Sequence, residues 1–165
     1  MKHAIWPLFG VTLLFVTTAS LARNELQQLS DQQTRAITQA CERTVNEYVF
    51  ARDDGDAKRA SKLFTENAVM RIFDREIKGR DAILIAMQQR AEQATWAHIV
   101  GGVLITLTSA HTARGESYAL VFQAENATAA AADAVRGVVK YHDEFAVSEL
   151  GCQIHSRRVE FRIGQ

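Results

Sequence analysis

Apolar residues recur at steps of three and four positions along a segment that runs from about Asp31 to Arg52. The residues of this stripe are Ile37, Ala40, Cys41, Val45 and Tyr48. The spacing predicts an amphipathic helix of about five turns with one buried face. Ser30, with Gln33 three residues later, predicts a capping box at the start of this helix. Gly55 can adopt the left-handed backbone conformation in which such a helix commonly ends.

Two shorter helices and a hairpin are predicted after the long helix. The apolar residues of the first short helix are Ala57, Ala60, Leu63 and Phe64, and those of the second are Ile83, Leu84, Met87 and Ala91. Asp81 is the expected N-cap of the second one. Between these two helices, apolar and polar residues alternate along residues 68–77, which predicts a short hairpin that turns at Asp74 and Arg75.

Four longer segments with a β-type pattern make up the second half of the chain. They cover residues 98–108, 116–123, 135–147 and 152–163, and the Ala-rich tract 124–134 separates the second from the third. Helices followed by a run of consecutive strands predict an α+β domain. We expect three N-terminal helices to pack on one face of a curved antiparallel sheet.

The first 22 residues have the pattern of a secretory signal peptide. A positively charged start precedes the apolar run 8–16, and small residues at Ser20 and Ala22 predict cleavage after Ala22. The alternative is an uncleaved membrane anchor, but this apolar run is far shorter than the ~20 residues of a spanning helix. We therefore expect residues 23–165 to form one exported domain without a stable membrane anchor, secreted or, in a Gram-negative bacterium, periplasmic.

Charge and composition exclude several classes of protein. The 165 residues include 19 Lys and Arg against 19 Asp and Glu, so the formal net charge is zero. Proteins that bind nucleic acids need clustered positive charge to neutralise phosphates, so no nucleic-acid partner is expected. The hydrophobic share of 47% is too high for a disordered chain. Combined with the balanced charge, it predicts a pocket for an uncharged hydrophobic molecule.

Motifs that bind cofactors or metals are missing from the sequence. It contains no Walker-type phosphate loop, no dinucleotide glycine fingerprint and no His-Glu-x-x-His pattern, so we expect neither a cofactor nor a metal. Cys41 and Cys152 are the only cysteines. In an oxidising compartment they can pair, and the alternative is two separate buried thiols.

Several sequence blocks, taken in order, resemble a known family. They are Tyr48–Asp56 with Leu63–Val69, Gly79–Ile83, His98–Gly102, Tyr141–Phe145, Gly151–Ile154 and the pair Arg157–Arg158. The arrangement resembles the SnoaL-like branch of the NTF2-like superfamily over nearly the whole mature chain. This resemblance implies a cone-shaped α+β barrel, in which a strongly bent sheet wraps the first helix and leaves a deep apolar pocket.

The resemblance also implies an activity, because the family includes polyketide cyclases, scytalone dehydratase, a lindane dehydrochlorinase and ketosteroid isomerase. Scytalone dehydratase is similar at two catalytic places: an Asp at the exit of the first helix, matching Asp53, and a His shortly before Gly-Gly, matching His98. Its second pocket histidine, on the next strand, has no counterpart in residues 116–123. The resemblance therefore favours a cofactor-free lyase or isomerase over the specific dehydration.

The chemistry of an Asp and His pair supports the same two residues. A carboxylate that binds one ring nitrogen fixes the imidazole tautomer and stabilises the imidazolium that forms on proton abstraction. We therefore expect His98 to act as general base on a small hydrophobic carbonyl compound and Asp53 to orient it. Two structural alternatives remain open: Asp53 caps the following helix, or His98 is a hydrogen-bonded core histidine.

Other residues are candidates for the pocket. Tyr48 and Tyr141 can donate hydrogen bonds to a developing oxyanion, or they are ordinary core aromatics. Asp143 is expected to pair with Arg157 or Arg158, or to act in catalysis. The remaining candidates for the pocket lining are Phe50, Met70, Phe73, Trp96, Phe122 and His155, with His155 as a substitute for the missing second histidine.

A function without catalysis competes with this hypothesis. The chain is then an exported module that binds an apolar ligand in its cavity, or one that forms a homodimer through its open sheet face. Geometry separates the two hypotheses, since catalysis requires Asp53 and His98 within ~3.2 Å of each other and open to a cavity.

Overall fold

The fold described here is that of a computed structural model. It describes residues 21–22, 24–124, 135–149 and 151–164. Nearly all of the predicted signal peptide and the Ala-rich tract from residue 125 to residue 134 lie outside the described residues. The signal peptide and its cleavage therefore stay predictions.

Between residues 31 and 164 the described chain forms three helices and a six-stranded sheet, with the hairpin β1–β2 before the last helix, which confirms the predicted α+β fold. The elements are α1 (Asp31–Asp53), α2 (Ala57–Lys62), β1 (Phe64–Ile72), β2 (Arg75–Lys78), α3 (Arg80–Gln93), β3 (Thr95–Leu107), β4 (Thr112–Ala124), β5 (Val135–Ser148) and β6 (Gly151–Gly164). The strand order is β2-β1-β6-β5-β4-β3. Neighbouring strands are antiparallel except for β1 and β6, which pair in parallel.

The long helix α1 follows its sequence pattern. Ser30 and Gln33 form the predicted capping box, each side chain reaching the backbone N–H of the other residue. The helix buries Cys41, Val45 and Tyr48 against the sheet. No helix in the described ranges has both the length and the apolar character needed to cross a membrane.

A disulfide between Cys41 and Cys152 joins α1 to β6. The two Cα atoms lie 5.0 Å apart, within the range that a disulfide spans. Beside it, the hydroxyl of Thr44 donates a hydrogen bond to the carbonyl oxygen of Cys152 at 2.7 Å. Of the two alternatives left open by the sequence, the structure has the paired cysteines.

Element boundaries differ from the prediction around the first strand. Phe64 was predicted to lie in the second helix, but α2 ends at Lys62 and Phe64 begins β1, where it pairs with Ile154 of β6. The pairing with a distant strand outweighs the local helical pattern, as tertiary contacts often do.

The start of α3 and the hairpin turn are also shifted. Gly79, with φ of 88°, precedes the first helical residue Arg80, so Asp81 lies in the first turn and is not the N-cap. The hairpin turns at Phe73 and Asp74, with Phe73 at a positive φ of 57°, one residue earlier than predicted.

Irregular positions in the long strands bend the sheet around α1. In β3 the pairing with β4 shifts at Gly102, which has φ of 69°, a conformation typical of a β-bulge glycine. In β6 the pairing with β5 shifts between Ile154 and Ser156, so that His155 is the extra residue. Such bulges increase local twist and curvature, which gives the sheet a concave face toward the helices.

Candidate active site

Asp53 and His98 meet where α1 ends against β3. The carboxylate Oδ1 lies 2.6 Å from Nδ1 of the His98 ring. The other oxygen, Oδ2, accepts a hydrogen bond from the backbone N–H of His98 at 2.7 Å. Two contacts to one residue fix both the position of the strand and the orientation of the ring, which leaves Nε2 as the nitrogen without a partner in the described part of the chain.

Local structure explains why these two side chains come together. Asp53 is the last residue of α1. The N-cap of α2 is Asp56, whose side chain accepts a hydrogen bond from the backbone N–H of Arg59 at 2.9 Å. Asp53 is therefore not the cap of α2. Residues alternate in burial along the first half of β3, with Trp96 and His98 turned inward. The alternation places the imidazole on the concave face.

Burial and charge control the protonation of His98. Its side chain is only 8% exposed. Burial is the largest influence and lowers the pKa of His98 below its ordinary value, while the hydrogen bond and the negative charge of Asp53 oppose it. The positive charges of Arg52 and Arg90 lower the pKa of His98 further. The imidazole is therefore neutral at pH 7, which is the state that a general base needs.

A cavity of about 560 Å³ opens beside His98. Its size lies within the range of small-molecule sites, about 300 to 1,000 Å³. The apolar and aromatic part of its wall comprises Tyr48, Met70, Ile72, Phe73, Ile77, Ala86, Met87, Trp96, Val121, Val139, Tyr141, Val159 and Phe161. The geometric requirement for catalysis is therefore met: the Asp53 and His98 contact is short, and His98 borders a cavity.

Tyr48 and Tyr141 lie together in this wall. Their ring centroids are 6.2 Å apart in an edge-to-face arrangement. Neither hydroxyl has a hydrogen-bond acceptor among the described residues. Burial, together with the neighbouring Tyr48, raises the pKa of Tyr141, so its phenol stays protonated and is a hydrogen-bond donor.

Behind the two tyrosines, Arg157 and Asp143 form a buried ion pair. Nε and Nη2 of Arg157 each donate to one oxygen of Asp143 at 2.7 Å, and the side chains are 0% and 1% exposed. The guanidinium also packs on the rings of Tyr48 and Tyr141, 4.1 and 4.5 Å from their centroids. This network holds the tyrosines in place, as cation–π contacts in a desolvated site do.

Four predicted lining residues are not at the cavity. Asp143 forms an ion pair with Arg157, the first of the two expected partners, through both of its oxygens. Phe50 is 63% exposed, because it lies off the buried stripe of α1. Phe122 follows Val121, which faces the cavity, so its side chain points to the opposite face of β4. His155 is exposed at the bulge of β6, with Nδ1 3.2 Å from the Thr65 hydroxyl, and is not a substitute second histidine.

The remaining predicted residues Met70, Phe73 and Trp96 do line the cavity. Sequence reasoning missed the arginines that line it with them: Arg52, Arg75, Arg90 and Arg136. Arg52 had a signal, because it lies four residues after Tyr48 and continues the buried stripe of α1. The others lie at the start of β2, on α3 and near the start of β5, and only the fold brings these positions together.

Within the described ranges, no group of three or more His, Cys, Asp or Glu side chains is arranged to hold a metal ion.

Comparison with known proteins defines the class. The family model described as "SnoaL-like domain" matches residues 22–158, so the chain belongs to this family. No curated protein matches the chain.

Solved structures with the same fold include three at low sequence identity. An NTF2-like protein with a cystatin-like fold from Novosphingobium aromaticivorans is 19% identical with a TM-score of 0.68, covering 81% of this chain and 87% of that chain. A scytalone dehydratase-like protein from Novosphingobium aromaticivorans DSM 12444 is 16% identical with a TM-score of 0.69, covering 81% and 89%. LinA is 14% identical with a TM-score of 0.70, covering 82% and 92%. These likenesses establish an NTF2-like fold.

Proposed function

We propose that this protein is a cofactor-free lyase or isomerase that removes a proton next to the carbonyl group of a small, hydrophobic, cyclic compound. The observation that carries the proposal is the 2.6 Å contact between Asp53 and His98 at the wall of the cavity. In this contact Nδ1 of a neutral imidazole is bound, while Nε2 has no partner among the described residues, as general-base catalysis requires.

In the first step, Nε2 of His98 takes the proton from the carbon beside the carbonyl group. The electron pair of the broken C–H bond moves into the carbon skeleton, and negative charge develops on the carbonyl oxygen. The imidazolium that forms is stabilised by the carboxylate of Asp53. Asp53 is a positioning residue, since it acts through His98.

The developing negative charge needs hydrogen-bond donors. Tyr48 and Tyr141 border the cavity with hydroxyls that have no acceptor among the described residues, and the guanidinium of Arg157 places a positive charge against both rings. Donors fixed in advance by packing stabilise an oxyanion without reorganisation. In the second step the enolate either takes the proton back from the imidazolium at another carbon, giving an isomer, or expels a leaving group that carries off the proton of the imidazolium, giving an elimination product.

The family and the fold support a reaction of this class. The chain belongs to the SnoaL-like family, and one structure of the same fold is that of a scytalone dehydratase-like protein. The signal-like start of the sequence and the Cys41–Cys152 disulfide support export to an oxidising compartment.

Exchange of hydrogen for deuterium tests the first step without knowledge of the natural substrate. Cyclohexanone, 1-indanone and 1-tetralone form a panel of cyclic ketones, and NMR in D₂O follows the loss of the protons beside the carbonyl. We expect the wild-type protein to accelerate exchange on at least one ketone and His98→Ala to lose this acceleration about 10²- to 10⁴-fold. His155→Ala removes an exposed histidine outside the cavity and serves as the matched control.

Exchange that is independent of His98, or absent on every ketone of the panel, contradicts the proposal. In that case the cavity is a binding site for an apolar ligand, which is the competing function for this fold.

A further inference from the structure

Arg52 is buried and has no hydrogen-bond or ion-pair partner among the described residues. It lies in the last turn of α1, is 8% exposed, and lines the cavity. No carboxylate and no other acceptor binds its guanidinium anywhere in the described part of the chain. Burying a charge without a counter-charge is costly, so an unpaired arginine at a cavity wall indicates a site prepared for an anion.

The carboxylates nearest to the interior are already committed. Asp53 binds His98 through both oxygens, and Asp143 binds Arg157 through both oxygens. Neither carboxylate makes a hydrogen bond or an ion pair with Arg52 among the described contacts. The positive charge of Arg52 is therefore not neutralised within the site.

Other charges on the cavity wall are mostly positive as well. Arg75, Arg90 and Arg136 line the cavity, against a single lining carboxylate, Asp74, at the exposed hairpin turn. This excess of cations belongs to a chain whose formal net charge is zero. The positive charge is thus concentrated at the cavity and is not a property of the whole surface.

Two of these arginines are bound to neutral groups. Nε of Arg136 donates to the side-chain oxygen of Gln123 at 2.8 Å, and the guanidinium of Arg90 stacks on Trp96 at 4.2 Å from the ring centroid. Burial, and after it the charge of Arg52, lowers the pKa of Arg90, which shows that the two cations repel each other. An anion between them removes this repulsion.

We infer that the ligand of this cavity is a cyclic apolar compound that carries a carboxylate, and that Arg52 binds this carboxylate with support from Arg90. The inference rests on the proposed function and names its substrate class more narrowly. It differs from the uncharged molecule that the composition predicts, because the overall charge of a chain does not report the charge of its cavity.

Shape and charge favour a carboxylate over a phosphate. A guanidinium binds both groups through paired N–H donors. One carboxylate carries a single negative charge, which matches the one buried arginine of the cavity wall that has no hydrogen-bond or ion-pair partner among the described residues, whereas a phosphate monoester carries about 1.5 to 2 negative charges at neutral pH. The rest of the ligand packs against the apolar wall that Met70, Met87 and Val121 contribute.

Isothermal titration calorimetry with matched probes tests the inference. 2-Naphthoate and 2-naphthamide have the same ring system and nearly the same shape, but only the first is charged. We expect the wild-type protein to bind 2-naphthoate at least about 10-fold more tightly than 2-naphthamide, since bonds to charged groups are the strong ones. 2-Naphthyl phosphate is the third probe and should bind more weakly than 2-naphthoate.

Variants assign the preference to Arg52. Arg52→Gln should abolish the preference for 2-naphthoate while 2-naphthamide binds as before, and Arg52→Lys should restore part of it. Arg114→Gln is the matched control, because Arg114 is exposed on β4 and does not line the cavity. His98→Ala should keep the preference, so a failure of the proposed catalysis is distinguishable from a failure of this inference.

Equal binding of 2-naphthoate and 2-naphthamide by the wild-type protein overturns the inference. So does a preference that survives in Arg52→Gln, or tighter binding of 2-naphthyl phosphate than of 2-naphthoate. Circular dichroism of each variant shows whether the fold is retained, and Arg52→Lys supplies the comparison if Arg52→Gln does not fold.

Discussion

Asp53 binds both the ring and the backbone of His98, a residue 45 positions further along the chain, with one carboxylate oxygen for each contact. The backbone contact anchors β3 to the end of α1, and the ring contact sets the tautomer. One side chain thus has a structural and a chemical role, and its replacement should affect activity more than stability.

Asp53→Asn should lower the rate of His98-dependent proton exchange by about 10²-fold or more, because an amide neither stabilises the imidazolium nor fixes the tautomer. The pKa of His98 should fall further, since the hydrogen bond and negative charge that raise it are removed. The measurement is the pH profile of the exchange rate. Asp54→Asn, which replaces an exposed neighbouring carboxylate, is the matched control and should leave both unchanged.

The pH dependence of the wild-type rate follows from the buried state of His98. A base works only when it is unprotonated, so the rate should rise with pH through the pKa of His98 and then level off. Burial lowers that pKa below the ordinary histidine value of about 6.5, so the rate should level off at a lower pH than an exposed histidine would give. A rate that still climbs steeply between pH 7 and pH 8 contradicts a neutral His98 as the base.

The buried ion pair should make a large contribution to stability when only one partner is removed. Arg157→Met leaves Asp143 as an unpaired charge at 1% exposure, and we expect the free energy of unfolding to fall by ~3 to 5 kcal/mol. The double variant Arg157→Met with Asp143→Leu should recover most of this loss. Urea denaturation measures each value.

Arg158→Met is the control for that experiment. Arg158 forms an exposed pair with Glu160, so its replacement should cost less than ~1 kcal/mol. A loss equal to that of Arg157→Met would show that the change of residue type, and not the buried pair, causes the effect.

The disulfide should stabilise the fold in an oxidising environment. Cys41 and Cys152 are 111 residues apart, so the bond restricts a large loop in the unfolded chain. Replacing both with Ala should lower the free energy of unfolding by ~2 to 5 kcal/mol. Dithiothreitol should lower the melting temperature of the wild-type protein and leave that of the double variant unchanged.

Local sequence signals predicted the elements that are built from local contacts. The capping box at Ser30 and the apolar stripe of α1 could be predicted from the sequence, because helix periodicity and capping involve residues only a few positions apart. No local pattern connects Asp53 with His98. Their pairing was predicted from the resemblance of the sequence to the SnoaL-like family. The end of α2 was misplaced because Phe64 pairs with Ile154, a contact that the local pattern does not contain.

The positive charge of the cavity wall could not be predicted from the sequence for a similar reason. Arg90 and Arg136 meet only through the packing of α3 against the sheet, and their positions in the sequence look like ordinary solvent-exposed charges. His155 was misassigned because one bulge in β6 changes which side chains face inward. Only Arg52 was predictable, as the next residue on the stripe of α1.

Nitrogen-15 NMR of the His98 ring across a pH titration tests the central claim most directly. The account predicts that at pH 7 the ring is neutral, with the proton on Nδ1 toward Asp53 and none on Nε2, and that it titrates below about 6.5. His155, exposed at the bulge, provides an internal comparison within the same spectrum. A proton on Nε2 at pH 7, either in the other neutral tautomer or in a charged imidazolium, would contradict the account.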